Sequence, residues 1–397
     1  MSMGNKVPEI RFKGFSGEWI EHKLQDLTEN GFSNGVFNDP QKVGKGYRLI
    51  NVKDMYSGDC IDVDGLSLVN IDEKEFKNNK VQYGDIFFTR SSLVKEGIAY
   101  SNVNLSDRSD LTFDGHLIRM QPCKATTDPV FLASLFKTSY ARKQLILGGK
   151  TTTMTTIGQS DIAIVELALP SKQEQTAIGN TFQKLDNLIN QHQQKHDKLS
   201  NIKKAMLEKM FPKQGETIPE IRFKGFSGEW EESVLGAISE ITTGKLDANA
   251  MIANGKYDFY TSGIKKYRID IPAFEGPAIT VAGNGATVGY MHLADGKFNA
   301  YQRTYVLTNF KANRYFLFCN IGKALPSKIN QEVRAGNIPY IVLDMLTDLE
   351  IKLPSEKDEQ AKIGNYFQKL DALINQHQQQ INKLNNIKQA CLSKMFV

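Results

Sequence analysis

The stretch PEIRFKGFSGEW at residues 8–19 returns letter for letter at residues 219–230. A second pair lies elsewhere: IGNTFQKLDNLINQHQQ at 178–194 comes back as IGNYFQKLDALINQHQQ at 363–379. Each is followed by a similar tail, KLSNIKKAMLEKMF ending at Phe211 and KLNNIKQACLSKMF ending at Phe396. The chain is therefore two tandem half-chains. Between the matching ends, residues 20–169 and 231–353 differ in length and share no run that aligns. A duplication serving only packing would keep the middles alike as well as the ends. Constant ends around divergent middles point instead to one scaffold presenting two different bodies.

From Gln173 to Phe211 no Gly or Pro follows Gly179, and central positions recur at Phe182, Leu185, Ile189, His192, His196, Leu199, Met206 and Met210. The same frame continues at Phe367, Leu370, Ile374, His377, Ile381, Leu384, Cys391 and Met395. Alternate three and four spacing predicts two long helices with narrow seams. Each would span on the order of 55 Å, more than one small body needs to cover its core. Two single stripes are buried most economically against each other, and an antiparallel pairing would leave the bodies at opposite ends. The seam histidines His192, His196 and His377 are read as register-setting polar residues rather than a metal cluster.

Both bodies read as short alternating apolar segments punctuated by Gly, Asn and Asp, with only brief helical stretches such as 129–147. YRLINVKDM, KVQYGDIFFTRSS and HLIRMQP are strands of the first; YDFYTSG, GPAITVAGNGATVGYM and NAYQRTYVLTN are strands of the second. The expected class is α+β: two mixed α/β bodies with twisted, mostly antiparallel sheets, separated by two long antiparallel coiled-coil helices, in an internal pseudo-twofold repeat. The expected division is 1–170, 171–212, 213–354 and 355–397.

Side chains able to meet a polyanion cluster at a few places. In the first body Arg90, Ser91 and Ser92 follow an apolar strand, and Lys150 with Thr151, Thr152 and Thr153 opens a hydroxyl-rich loop. In the second, the Gly-rich AGNGATVG lacks the Lys-Ser/Thr ending of a phosphate loop and opens no long helix. A tight turn offering Asn284 and Thr287 is the better reading. Gln302 and Arg303, and the later run of Lys328, Asn330, Gln331 and Arg334, add amides and guanidinium groups suited to adenine and guanine edges. The net charge of +5 is only mildly basic and decides nothing alone. Four scattered cysteines form no CxxC pair, so neither a zinc site nor a disulfide framework is indicated, and a reduced, cytoplasmic setting is expected. No apolar run reaches the roughly 20 residues of a membrane span.

Taken together, the two PEIRF openings with their FSGEW ends, GDIFFTRSS, AGNGATVGYM, the junctions LPSKQEQTAIGNTF and LPSEKDEQAKIGNYF, and the two terminal helices resemble the specificity subunits of Type I restriction–modification enzymes. The resemblance covers essentially the whole chain. It implies two target-recognition domains, each reading one part of a bipartite double-stranded DNA site, held apart by paired helices. It further implies two methyltransferase subunits that modify adenine with S-adenosylmethionine, motor-nuclease subunits in the full complex, and no cofactor or catalysis on this chain. A lone adenine methyltransferase would need an Asp/Asn-Pro-Pro-aromatic segment, and no Pro-Pro occurs. A coiled-coil scaffold with two protein-binding heads is the other rival, disfavoured modestly by the basic loops and more by the resemblance.

Overall fold

A computed structural model of the chain describes residues 6–37, 40–151, 153–332 and 340–397. Two compact units form: residues 1–193 with 379–397, and residues 194–378. The constant ends explain why. In the first unit Trp19, 1% exposed, meets Phe131 and Phe396 edge-on at 5.8 and 6.2 Å, and Phe396 packs on Phe182 at 5.6 Å. In the second, Trp230 meets Phe316 and Phe211 at 5.6 and 5.9 Å, and Phe211 packs on Phe367 at 6.0 Å. The repeated Trp and the repeated terminal Phe are thus two walls of one aromatic cluster, built once per unit.

Beside each cluster the PEIR segment closes a helix end. Ile10 N donates to Lys394 O at 2.9 Å and Ile221 N to Lys209 O at 2.8 Å, satisfying a last-turn carbonyl that the helix itself leaves unpaired. Arg11 grips Glu174 with two 2.7 Å hydrogen bonds, and Arg222 grips Glu359 likewise. Both glutamates are buried, at 1% and 0% side-chain exposure, and each finds in the guanidinium a bidentate, charge-assisted partner.

The long helices run Lys172–Lys209 and Lys357–Lys394, 38 residues each, or about 57 Å apiece. Each unit holds the start of one and the end of the other. In the first unit Lys388 of the second helix pairs with Asp186 of the first at 2.7 Å; in the second unit Lys203 pairs with Asp371 at 2.5 Å. Within each unit the two helices therefore lie antiparallel. The seam positions expected from the spacing are buried or half-buried. Lys203 and Lys388 occupy the seam steps that the apolar pattern passes over.

The bodies share a topology that their sequences hide. In the first, a sheet runs in the order Thr28–Asn34, Leu117–Pro122, Ile86–Thr89, Ser101–Val103, all antiparallel. In the second, the order is Glu240–Thr243, Thr304–Thr308, Ala278–Ala282, Met291–Ala294, again all antiparallel. A second sheet accompanies each, three-stranded in the first body and four-stranded in the second, with Val43–Ile50 parallel to Leu111–Phe113 and Tyr257–Tyr260 parallel to Lys297–Ala300. A two-stranded ribbon closes each body at its root: Ile20–Lys23 with Glu166–Leu169, and Glu231–Val234 with Glu350–Leu353. The mixed, mostly antiparallel class is as expected. The expected helical stretch 129–147 forms two short helices, Pro129–Leu135 and Ser139–Leu147, and the second body holds a single 19-residue helix, Arg314–Glu332, that the spacing did not single out. Gly322 and Pro326 within it mask its periodicity, while Phe316, Leu317, Ile321 and Leu325 bury its inner face.

Candidate nucleic-acid interface

The first body joins two of the expected stretches that lie some sixty residues apart. Ser91–Ser92 pairs with Thr155–Thr156, which pairs in turn with Lys150–Thr151, giving a small three-stranded sheet. Arg90 sits at its root, its N donating to His116 O at 3.1 Å and its O accepting from Ile157 N at 2.9 Å. Its side chain is exposed and has no ion pair or side-chain hydrogen bond among the described residues. Lys150, Thr151 and Thr153 are exposed as well, while the Thr151 and Thr155 hydroxyls lie 3.0 Å apart and brace the strands. Ser92 Oγ accepts from Val94 N at 3.2 Å, which shapes the loop beyond. Thr152 lies outside the described residues.

In the second body Asn284, Gln302 and Arg303 come together. Gly283 N donates to Arg303 O at 2.8 Å, and Gly283 O accepts from Ile341 N at 2.7 Å. Arg303 and Gln302 are exposed on the turn between strands Lys297–Ala300 and Thr304–Thr308. That turn divides what the sequence suggested was one strand. Asn284 Oδ1 accepts from Ser262 Oγ at 2.6 Å, and Thr287 Oγ1 donates to Ser262 O. The Thr287 hydroxyl proton is therefore committed to bracing the loop.

Lys328 and Gln331 do not join this group, and Asn330 shares their helix. They ride on the helix Arg314–Glu332, and Lys328 and Gln331 line a cavity of about 520 Å³ with Phe211, Lys323 and Asp348, none of them part of the Gly283–Arg303 turn. Asn330 is exposed. Arg334 lies outside the described residues. In the other body His116 was passed over by the sequence reading. Its backbone O accepts from Arg90 N, and its ring is exposed, with Nδ1 at 2.7 Å from Asp114 Oδ1. A His after an Asp-Gly turn is too common a pattern to have singled it out.

A family model described as Type I restriction modification DNA specificity domain matches residues 17–201 and 227–386, once on each half-chain. The chain belongs to this family. The EcoDI Type I restriction enzyme specificity subunit of Escherichia coli is 37% identical over 161 residues, which are 41% of this chain and 35% of that one. The EcoKI specificity subunit of E. coli K12 is 26% identical over 247 residues, 60% of this chain and 49% of its own length. The chain thus spans half or less of the length of these curated relatives. The S subunit of a Type I restriction-modification system from M. genitalium has the same fold, with a TM-score of 0.72 over 98% of this chain and 99% of that one at 18% identity.

Each specificity domain therefore carries an exposed polar group at the same place, on the turn that enters the strand Leu117–Pro122 or Thr304–Thr308. Among the described residues no cluster of three or more His, Cys, Asp or Glu is placed to hold a metal ion, and no helix is long and apolar enough to cross a membrane.

Proposed function

We propose that the chain is the DNA-recognition subunit of a Type I restriction–modification complex, in which each specificity domain reads one part of a bipartite duplex site. The carrying observation is that two bodies of one topology, on one constant scaffold, present unlike exposed side chains from equivalent positions. A scaffold kept constant while its exposed tips vary is what sequence-specific readout needs, because backbone contacts position and a few side chains specify. Arg90, Ser91, Ser92, Lys150, Thr151 and Thr153 serve the first domain, and Asn284, Gln302 and Arg303 the second. The readers correspond to residues 1–170 and 213–354, and the helical segments 171–212 and 355–397 hold them.

The chain carries no methyl transfer, nuclease or ATPase step itself. Methyltransferase subunits holding S-adenosylmethionine modify adenine where the chain directs them, and motor-nuclease subunits join for restriction. The test maps methylated adenines in cells expressing the chain with its methyltransferase partner, alongside a salt titration of DNA binding. A two-part methylated motif and a steep fall of affinity with salt, from counterion release, are expected. Methylation without a sequence motif, or salt-independent binding, overturns the reading.

A further inference from the structure

We infer that His116 is a specificity-determining residue of the first domain, contacting a base edge through Nε2. The inference rests on the DNA-reading role proposed above and goes one residue further. The two domains share a hydrogen-bonded frame around their turns. Gly115 N donates to Val36 O at 2.7 Å, as Gln302 N does to Leu246 O at 2.8 Å. Leu117 N donates to Asp114 O at 3.0 Å, as Thr304 N does to Tyr301 O at 2.8 Å. The parallel bridges Val36 to Asp114 and Leu246 to Tyr301 coincide in the same way. In this frame His116 stands where the second domain has Arg303, and Arg90 stands where it has Gly283.

The two positions abut in both domains through the same backbone hydrogen bond, 90 to 116 and 283 to 303. The second domain offers a long cation from the turn beside bare backbone on the strand. A Cβ at Gly283 would lie 2.4 Å from Arg303 O, so that strand position has no room for a side chain. The first domain reverses the arrangement, with the guanidinium on the strand and a short ring on the turn. One pair of positions thus supplies one guanidinium in each domain, and the partner position decides what else is read.

The ring is held for this. Asp114, 5% exposed, accepts both the backbone N–H and Nδ1 of His116 at 2.7 Å. A carboxylate accepts, so Nδ1 is the donor of this pair and Nε2, with no partner among the described residues, is left to meet a base, as an acceptor in the neutral ring and a donor when protonated. The ring itself is 63% exposed. Orientation fixed before DNA arrives removes part of the rotamer entropy that binding would otherwise cost. As an acceptor Nε2 suits the amino group of cytosine or adenine, and as a donor it suits guanine O6 or N7.

The experiment selects duplexes from a randomised pool with the full chain in its complex, comparing wild type with His116→Ala and His116→Gln, each checked for an unchanged melting temperature. His116→Ala is expected to lose about tenfold discrimination at one base position of one half-site, with the other half-site intact. His116→Gln, which keeps a hydrogen-bonding head and serves if the alanine variant folds poorly, should shift or weaken the preference at that same position. Affinity lost evenly across all sequences marks a phosphate contact and overturns the assignment, as does unchanged preference in both variants while the wild type selects a two-part site. A wild type that selects no sequence overturns the DNA-reading proposal and His116 with it.

Discussion

Glu174 and Glu359 are buried and each meets one guanidinium, and that pairing is testable at single residues. Arg11→Ala leaves Glu174 buried without its partner, so a loss of about 3–5 kcal/mol is expected, read by denaturant unfolding; a loss under about 1 kcal/mol would mean that water reaches the carboxylate. Asp59 gives the pH dependence. Burial raises its carboxyl, but Lys137 and Lys388 outweigh this and hold it at about 2, below the roughly 3.9 of an unfolded chain. A carboxyl depressed in the folded state adds stability that is present above about pH 4 and lost as the pH falls through about 2. Asp59→Asn should therefore be less stable than wild type at pH 5, and the gap in melting temperature should narrow between pH 4 and pH 2. At the surface, Arg90→Ala is expected to weaken specific DNA binding by about 1–3 kcal/mol if Arg90 reads a base bidentately, with unchanged affinity and preference removing it from the interface. Residue types told which side chains suit DNA but not which were free to do so. Thr287 was chosen for a hydroxyl whose proton goes to Ser262 O, and His116 was missed because only the shared frame equates it with Arg303.

The elements show where periodicity is informative and where it is not. The long helices were legible because an apolar stripe recurring every three or four residues fits a helix and not a strand, and the first helix begins and ends within two residues of the expected 173–211. Their charged seam steps were not legible, since a Lys at a core step looks like an interruption until its partner is known. Lys388 is 8% exposed, and although burial alone would lower its ammonium, the carboxylates of Asp186 and Asp59 raise it. Lys388→Ala should cost about 2–3 kcal/mol, less than for a fully buried pair because Asp59 keeps Lys137, and a cost below about 0.5 kcal/mol would make the pair incidental. Gly179 and Gly364 have a similar hidden partner. A Cβ at Gly179 would lie 2.6 Å from Asp128 Oδ1, which caps the body helix Pro129–Leu135, and one at Gly364 would lie 2.4 Å from Asn313 Oδ1. Alanine is the better helix former by about 1 kcal/mol, yet Gly179→Ala is expected to destabilise by about 1–2 kcal/mol because the capping carboxylate cannot retreat without losing its bonds to Val130 N and Phe131 N. A raised melting temperature would show that the contact relaxes freely.

For the whole chain, the repeat disclosed the half-chains at once, whereas the common topology of the bodies was invisible because sheet order is set by pairings between residues far apart and leaves no shared letters. The pairings make a transplant specific. Replacing residues 231–353 by a second copy of residues 20–169 preserves both junctions, since the root ribbons Ile20 to Leu169 and Glu231 to Leu353 are equivalent and each is preceded by the same Trp and followed by Pro. The aromatic cluster is also preserved. Phe131 of the transplanted body would meet Trp230, Phe211 and Phe367, which correspond to the Trp19, Phe396 and Phe182 that surround it in its own unit. Its helix cap is matched as well, because Gln360 accepts from Asn313 N as Gln175 accepts from Asp128 N. Asp59 would find Lys203 in the place of Lys388, whereas the native second body reaches Asp371 through the Tyr315 hydroxyl at 2.6 Å. The hybrid is therefore expected to fold and, with its methyltransferase partner, to methylate a site built from two copies of one half-site, the first domain's, with the second domain's bases no longer required. Methylation mapping reads this directly. A folded hybrid that still demands the original second half-site would show that the bodies do not carry specificity, and one that methylates nothing despite a wild-type melting profile would show that the constant segments are not interchangeable supports.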